Sequence, residues 1–143
     1  MEIEVKTERR SVAVMMALCA FMVVATTACK KSSTPTETFR AFYEASKKGD
    51  AEGIKKTLSK SSLKLMEDEA KAQNKNINEL LVSSEPTPAQ MPETRNETIE
   101  GSTATLQVKN DKAGRWVTTQ FVKENGEWKI AVDKMLVSPQ QLK

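Results

Sequence analysis

The sequence predicts an α+β domain, with short N-terminal helices packed on one face of an antiparallel sheet. Three observations carry this reading. Apolar residues between positions 39 and 81 recur every three or four positions. Pro86, Pro88 and Pro92 then break the helical pattern. From Ile99 onward the period falls to two, and Asn125-Gly126, a strong hairpin signal, separates two alternating runs.

The elements follow in order. Thr34-Pro35-Thr36-Glu37 is a complete helix start, with Thr34 as cap, Pro35 at the first helical position and Glu37 closing a capping box. Phe39, Phe42, Tyr43 and Ser46 share a face, and the helix stops at Gly49 after two lysines that suit the negative end of its dipole. Asp50 caps a second short helix with Ile54 and Leu58 inward. Ser61 or Ser62 starts a third, in which Leu63, Met66 and Ala70 lie together. Asn76 and Glu79 repeat the capping-box spacing and open a last turn carrying Leu80 and Leu81. In the second half, Ile99 belongs to a first strand ending near Gly101. Residues 103–109 turn Ala104, Leu106 and Val108 one way. After a turn at 110–114, Val117, Thr119 and Phe121 alternate with Trp116, Thr118 and Gln120. Trp128, Ile130 and Val132 alternate in the last strand, and no internal repeat is visible.

Ahead of this domain stands an address. Arg9 and Arg10 precede an unbroken apolar run at residues 12–25, and Thr26, Thr27 and Ala28 lead into Cys29. A basic start, an apolar centre and a small-residue cleavage site make a secretory signal. A membrane span needs about 20 apolar residues, more than this run holds. An uncleaved anchor and an ordinary cleaved signal are the alternatives. Twin-arginine export would want Phe or Leu where Val12, Ala13 and Val14 follow the pair, so the two arginines are read as charges that orient insertion. A cysteine at the first mature position resembles the lipobox of bacterial lipoproteins, although Thr26 stands where that motif prefers Leu, Val or Ile. The resemblance implies acylation of Cys29 and a protein held by lipid at the cell envelope. Lys30 stands where an Asp commonly retains lipoproteins at the inner membrane, which implies the outer membrane, facing the periplasm, in a cell with two. The expected organisation is a signal peptide at 1–28, a lipidated tether at 29–33, a domain at 34–137 and a tail at 138–143. The tether extends on the order of 17 Å at most, so the domain would sit against the bilayer.

Composition narrows the chemistry. The chain has no histidine and two cysteines, of which Cys19 lies in the apolar run and Cys29 would be thioether-linked. The residues that usually hold zinc, copper or haem are missing, and no cofactor is expected. So are the commonest general base and the Cys-His and Ser-His-Asp pairs. A net charge of +3 is mildly basic, short of a nucleic-acid binder.

Residues 34–50, Thr-Pro-Thr-Glu-Thr-Phe-Arg-Ala-Phe-Tyr-Glu-Ala-Ser-Lys-Lys-Gly-Asp, resemble the opening helix of the nuclear-transport-factor-2-like, or cystatin-like, superfamily. Residues 122–130, with Gly126-Glu127-Trp128-Lys129-Ile130, resemble its closing hairpin. More narrowly, residues 34–133 look like the lipoprotein branch related to lumazine-binding-like domains. The resemblance implies a curved antiparallel sheet wrapped around helices as a cone with an apolar pocket, and often a homodimer through the exposed sheet face. Members include isomerase- and dehydratase-like enzymes, ligand binders and interaction modules. The enzymes use an Asp or a His–Asp pair inside the cone; Glu97, Glu100, Glu124 and Glu127 lie instead near strand ends and turns, so no catalytic residue is carried over.

The expected function is therefore non-enzymatic binding of a small apolar molecule or an envelope protein by a lipid-anchored domain. The alternatives are an enzyme of the isomerase or dehydratase type and a purely structural module. Phe39, Phe42, Tyr43, Trp116 and Trp128 are the candidate pocket residues, with core packing as their ordinary role. Tyr43 is singled out because a buried hydroxyl needs a partner. Ser61-x-x-Lys64 matches a penicillin-binding motif, but the chain is too short for that fold. Glu67-Asp68-Glu69 reads as a solvated helix face, and Asn96-Glu97-Thr98 as a bare sequon match. Lys47, Lys48, Lys55, Lys56, Lys60 and Lys64 form a basic side that would suit an anionic lipid surface, at about 1 kcal/mol per lysine.

Overall fold

A computed structural model describes residues 33–83 and 87–136 of the chain. The readings on residues 1–32, including the signal and Cys29, and on the tail lie outside the described residues. Among the described residues the fold is α+β: four helices, then a four-stranded antiparallel sheet that stays open, then a short fifth helix.

Helix α1 (Pro35–Lys48) begins as its sequence dictates. Thr34 Oγ1 accepts the Glu37 N–H at 3.1 Å, and Glu37 Oε2 accepts the Thr34 N–H at 2.9 Å. It ends on Gly49 at φ 67°, a left-handed conformation that glycine adopts without strain. Asp50 caps α2 (Ala51–Thr57) by accepting the Gly53 N–H at 2.9 Å. A Cβ on Gly53 would lie 2.9 Å from that of Ala45, so the close approach of α1 and α2 requires glycine.

Helix α3 (Lys60–Ala72) starts earlier than the sequence suggests. Its cap is Ser59, whose hydroxyl accepts the Ser62 N–H at 3.1 Å; Ser61 is exposed and Ser62 is fully buried. The cause is long-range: Leu58 bridges Ile130, and the Ser59 N–H donates to the Ile130 carbonyl at 2.9 Å. Asn76 precedes α4 (Ile77–Ser83), its backbone N–H donating to Glu79 Oε2 at 3.3 Å.

The sheet is a meander of β1 (Thr94–Glu100), β2 (Thr103–Asn110), β3 (Arg115–Glu124) and β4 (Glu127–Ile130). The alternation holds: Ala104, Leu106, Thr119, Phe121, Trp128 and Ile130 are buried on the helix-facing side. The edge strand β1 is exposed beyond Thr94, and its register breaks between Arg95 and Thr98, where Asn96 takes φ 51°. From this bulge Glu97 reaches the start of α1 and accepts both the N–H and the hydroxyl of Thr36, at 2.8 and 2.6 Å. The negative carboxylate meets the positive end of the helix dipole.

Val132 is not in the last strand. Its N–H donates to Ser62 Oγ at 2.8 Å, and the chain turns into α5 (Val132–Leu136). Ser62 in turn donates to Asp133 Oδ1 at 2.8 Å and accepts the Ser59 hydroxyl at 2.8 Å. The core cluster comprises Ala45, Ile54, Leu58, Ala104, Leu106, Phe121, Trp128 and Ile130. All of it falls within the compact unit Ser32–Lys143.

Candidate functional site: an apolar cavity beside the first helix

Between α1, α4 and the sheet lies a cavity of about 490 Å³. Helix α1 contributes Phe39, Phe42, Tyr43 and Ser46, all from the face set by its three- and four-residue spacing. Phe39 and Phe42 stand 6.5 Å apart, centroid to centroid, with their planes tilted by 31°. Leu81 and Val82 come from α4, and Val108, Val117 and Thr119 from the inner face of β2 and β3. The proline-containing loop closes one side through Thr87, Pro88 and Pro92.

That loop is fastened by polar bonds. The buried Tyr43 hydroxyl lies 3.0 Å from both the Pro88 and the Ala89 carbonyl, sharing one proton between them. Lys47 Nζ donates to the Ala89 carbonyl at 3.2 Å while standing 5.8 Å from the Tyr43 ring centroid. The partner that Tyr43 needed is thus its own chain: the hydroxyl proton holds the wall in place.

Of the five aromatic candidates the structure brings three together: Phe39, Phe42 and Tyr43. Trp116 and Trp128 do not line the cavity. Trp116 opposes Lys109 on the outer face of the sheet, half-buried, with the Arg95 guanidinium 3.9 Å from its ring centroid. Trp128 is packed into the core beside β3, and its carbonyl accepts the Thr38 hydroxyl at 3.3 Å. The inward alternation of Val108, Val117 and Thr119 was the sequence signal for the wall that the aromatic count passes over.

Charge is confined to the rim. The end of β2 supplies Lys109 and Asn110, and the turn after it Asp111 and Lys112. Lys109 pairs with Glu93 at 2.7 Å, and the hydrogen bond and charge of Glu93 hold its ammonium above the ordinary lysine range. Asp111 is the carboxylate of the lining, and it is exposed. Three of the four acids near strand ends and turns have structural posts: Glu97 binds the start of α1, Glu124 accepts the Lys60 N–H at 3.2 Å, and Glu127 pairs with Lys129 at 3.0 Å, while Glu100 is exposed. Glu67, Asp68 and Glu69 are exposed, and no group of three metal-ligating side chains occurs among the described residues. Ser61 and Lys64 are both exposed on α3, outside the cavity lining.

A second hollow, of about 560 Å³, opens beside the end of α1 and shares Ser46, Val82 and Thr87 with the first. Lys47, Lys48 and Gly49 form its other border. Val82 is 49% exposed on the shared wall, a large apolar side chain left open to whatever enters. Compared with known proteins, the chain matches no family model, no curated protein and no solved structure.

Proposed function

We propose that this chain is a lipid-anchored protein of the bacterial cell envelope whose nuclear-transport-factor-2-like domain binds a small apolar molecule without transforming it. The observation that carries the binding reading is the cavity of about 490 Å³, walled by phenylalanine, valine, leucine and proline side chains with its charges at the rim. Concave, mostly apolar sites of this size with a few polar groups are the usual form of a small-molecule site. The address rests on the signal at 1–28 that leads into Cys29, and the superfamily reading on residues 34–50 and 122–130.

Titration with the neutral dye Nile red tests the cavity. The dye should bind with enhanced emission, Ser46→Trp should abolish binding by filling the space, and Trp116→Ala on the opposite face should leave it unchanged. Equal binding by wild type and Ser46→Trp would overturn the reading. The anchor has its own test. Cys29→Ser should release the protein from the membrane fraction, because acyl chains there are the strong anchor left after cleavage. A processed variant that still pellets with membranes would refute lipidation.

A further inference from the structure

The interior of the cavity and its openings differ in chemistry. Inside, the walls are apolar or hydroxyl-bearing, and the Tyr43 proton is already committed to the loop carbonyls. An occupant therefore has little to gain from polar atoms deep in the site, because each would lose water without a matching partner. At the openings, Lys47, Lys48, Lys109 and Lys112 border the two hollows. Two carboxylates stand against these four ammoniums: Glu93, held by Lys109, and Asp111. Lys48 and Lys112 have no ion-pair partner among the described residues. The openings carry a net positive field, and the two hollows adjoin along the exposed Val82, with Ser46 and Thr87 on the same shared border.

We infer that the site takes a single-chain amphiphile with an anionic head, its alkyl chain lying in the cavity and its carboxylate or phosphate monoester in the field of Lys48 and Lys112. The inference rests on the apolar-binding reading above and adds to it the sign of the head group. Charges at such a rim act across partly exposed space, so the preference is moderate and screened by salt.

The test uses Ser32–Lys143, the compact unit that holds the whole core, with decanoate, decyl phosphate and decanol as competitors of Nile red. Decanoate and decyl phosphate should each compete about tenfold better than decanol at low salt. The difference should shrink in high salt, and Lys48→Gln combined with Lys112→Gln should remove it while leaving decanol unchanged. The two anionic arms tell a carboxylate head from a phosphate head. Decanol competing as well as the anions, or an anionic preference that survives the double substitution, would overturn the inference while leaving apolar binding intact. Failure of all three to compete, with no Nile red bound, would remove the binding reading itself.

Discussion

The two ends of the helix–sheet interface are built differently. At the β4 end, Ile54, Leu58, Phe121, Trp128 and Ile130 fill the space, and the polar groups that remain are stitched together by Ser59, Ser62 and Asp133. Toward the β2–β3 turn, Val108, Val117 and Thr119 of the sheet and Phe39 and Phe42 of α1 line a cavity instead. Different elements close the two ends: the Leu58–Ile130 bridge and α5 at the filled one, α4 and residues 87–92 at the chamber. Stability is therefore concentrated at one end, and the other is free to specialise.

The largest expected effect is at the filled end. Trp128→Ala should cost ~3–5 kcal/mol in urea denaturation, through lost burial and the hole left behind. A cost under about 1 kcal/mol would contradict a packed core position. Ser62→Ala comes next: it orphans the Val132 N–H and removes the shorter of the two hydroxyl donors to Asp133, leaving Ser59 at 3.4 Å, for about 1–3 kcal/mol. Its hydrogen-exchange signature should appear in α5 and leave residues 87–92 protected. Tyr43→Phe should reverse that pattern. It should cost about 1 kcal/mol and speed exchange and proteolysis at residues 87–92, with α5 unchanged. If both variants loosened both regions equally, the two ends would be one cooperative unit and the contrast would fail. Smallest is Glu93→Gln at the rim. Because Glu93 raises the Lys109 pKa, the pair's contribution is complete below the ordinary lysine value and is lost only as pH rises through the raised one. Thermal midpoints near neutral pH should barely move, and any difference from wild type should vanish at strongly alkaline pH.

Much of this was legible in the chain wherever the cause was local. Thr34, Asp50 and Asn76 announce helix starts through neighbours three residues away. The two-residue period at 103–108 and 117–121 follows directly from strand geometry. Two boundaries were not legible, because a distant partner sets each. Ser59 rather than Ser61 or Ser62 starts α3 since Ile130 bonds it, and Val132 leaves the sheet since Ser62 takes its N–H. The candidate site divided the same way. Phe39, Phe42 and Tyr43 fall together through helical spacing, whereas Trp116 sits on the wrong side of its own strand's alternation. A count of aromatics does not see faces. The lining from α4 and from residues 87–92 depends on how the chain crosses back over α1, which no period in the sequence encodes.

The bulge in β1 has a consequence beyond tying Glu97 to the first helix. An exposed seven-residue strand at the margin of an open sheet is a template on which a second extended chain can grow. Here the template is interrupted. Between Arg95 and Thr98 the backbone swings out of register, and Asn96 in its left-handed conformation breaks the row of outward-facing amide and carbonyl groups. A neighbouring molecule that began to add a strand at Glu100 would run out of matching donors and acceptors before reaching Thr94. The same kink that clasps the helix therefore works against edge-to-edge zipping of one copy of this chain onto another.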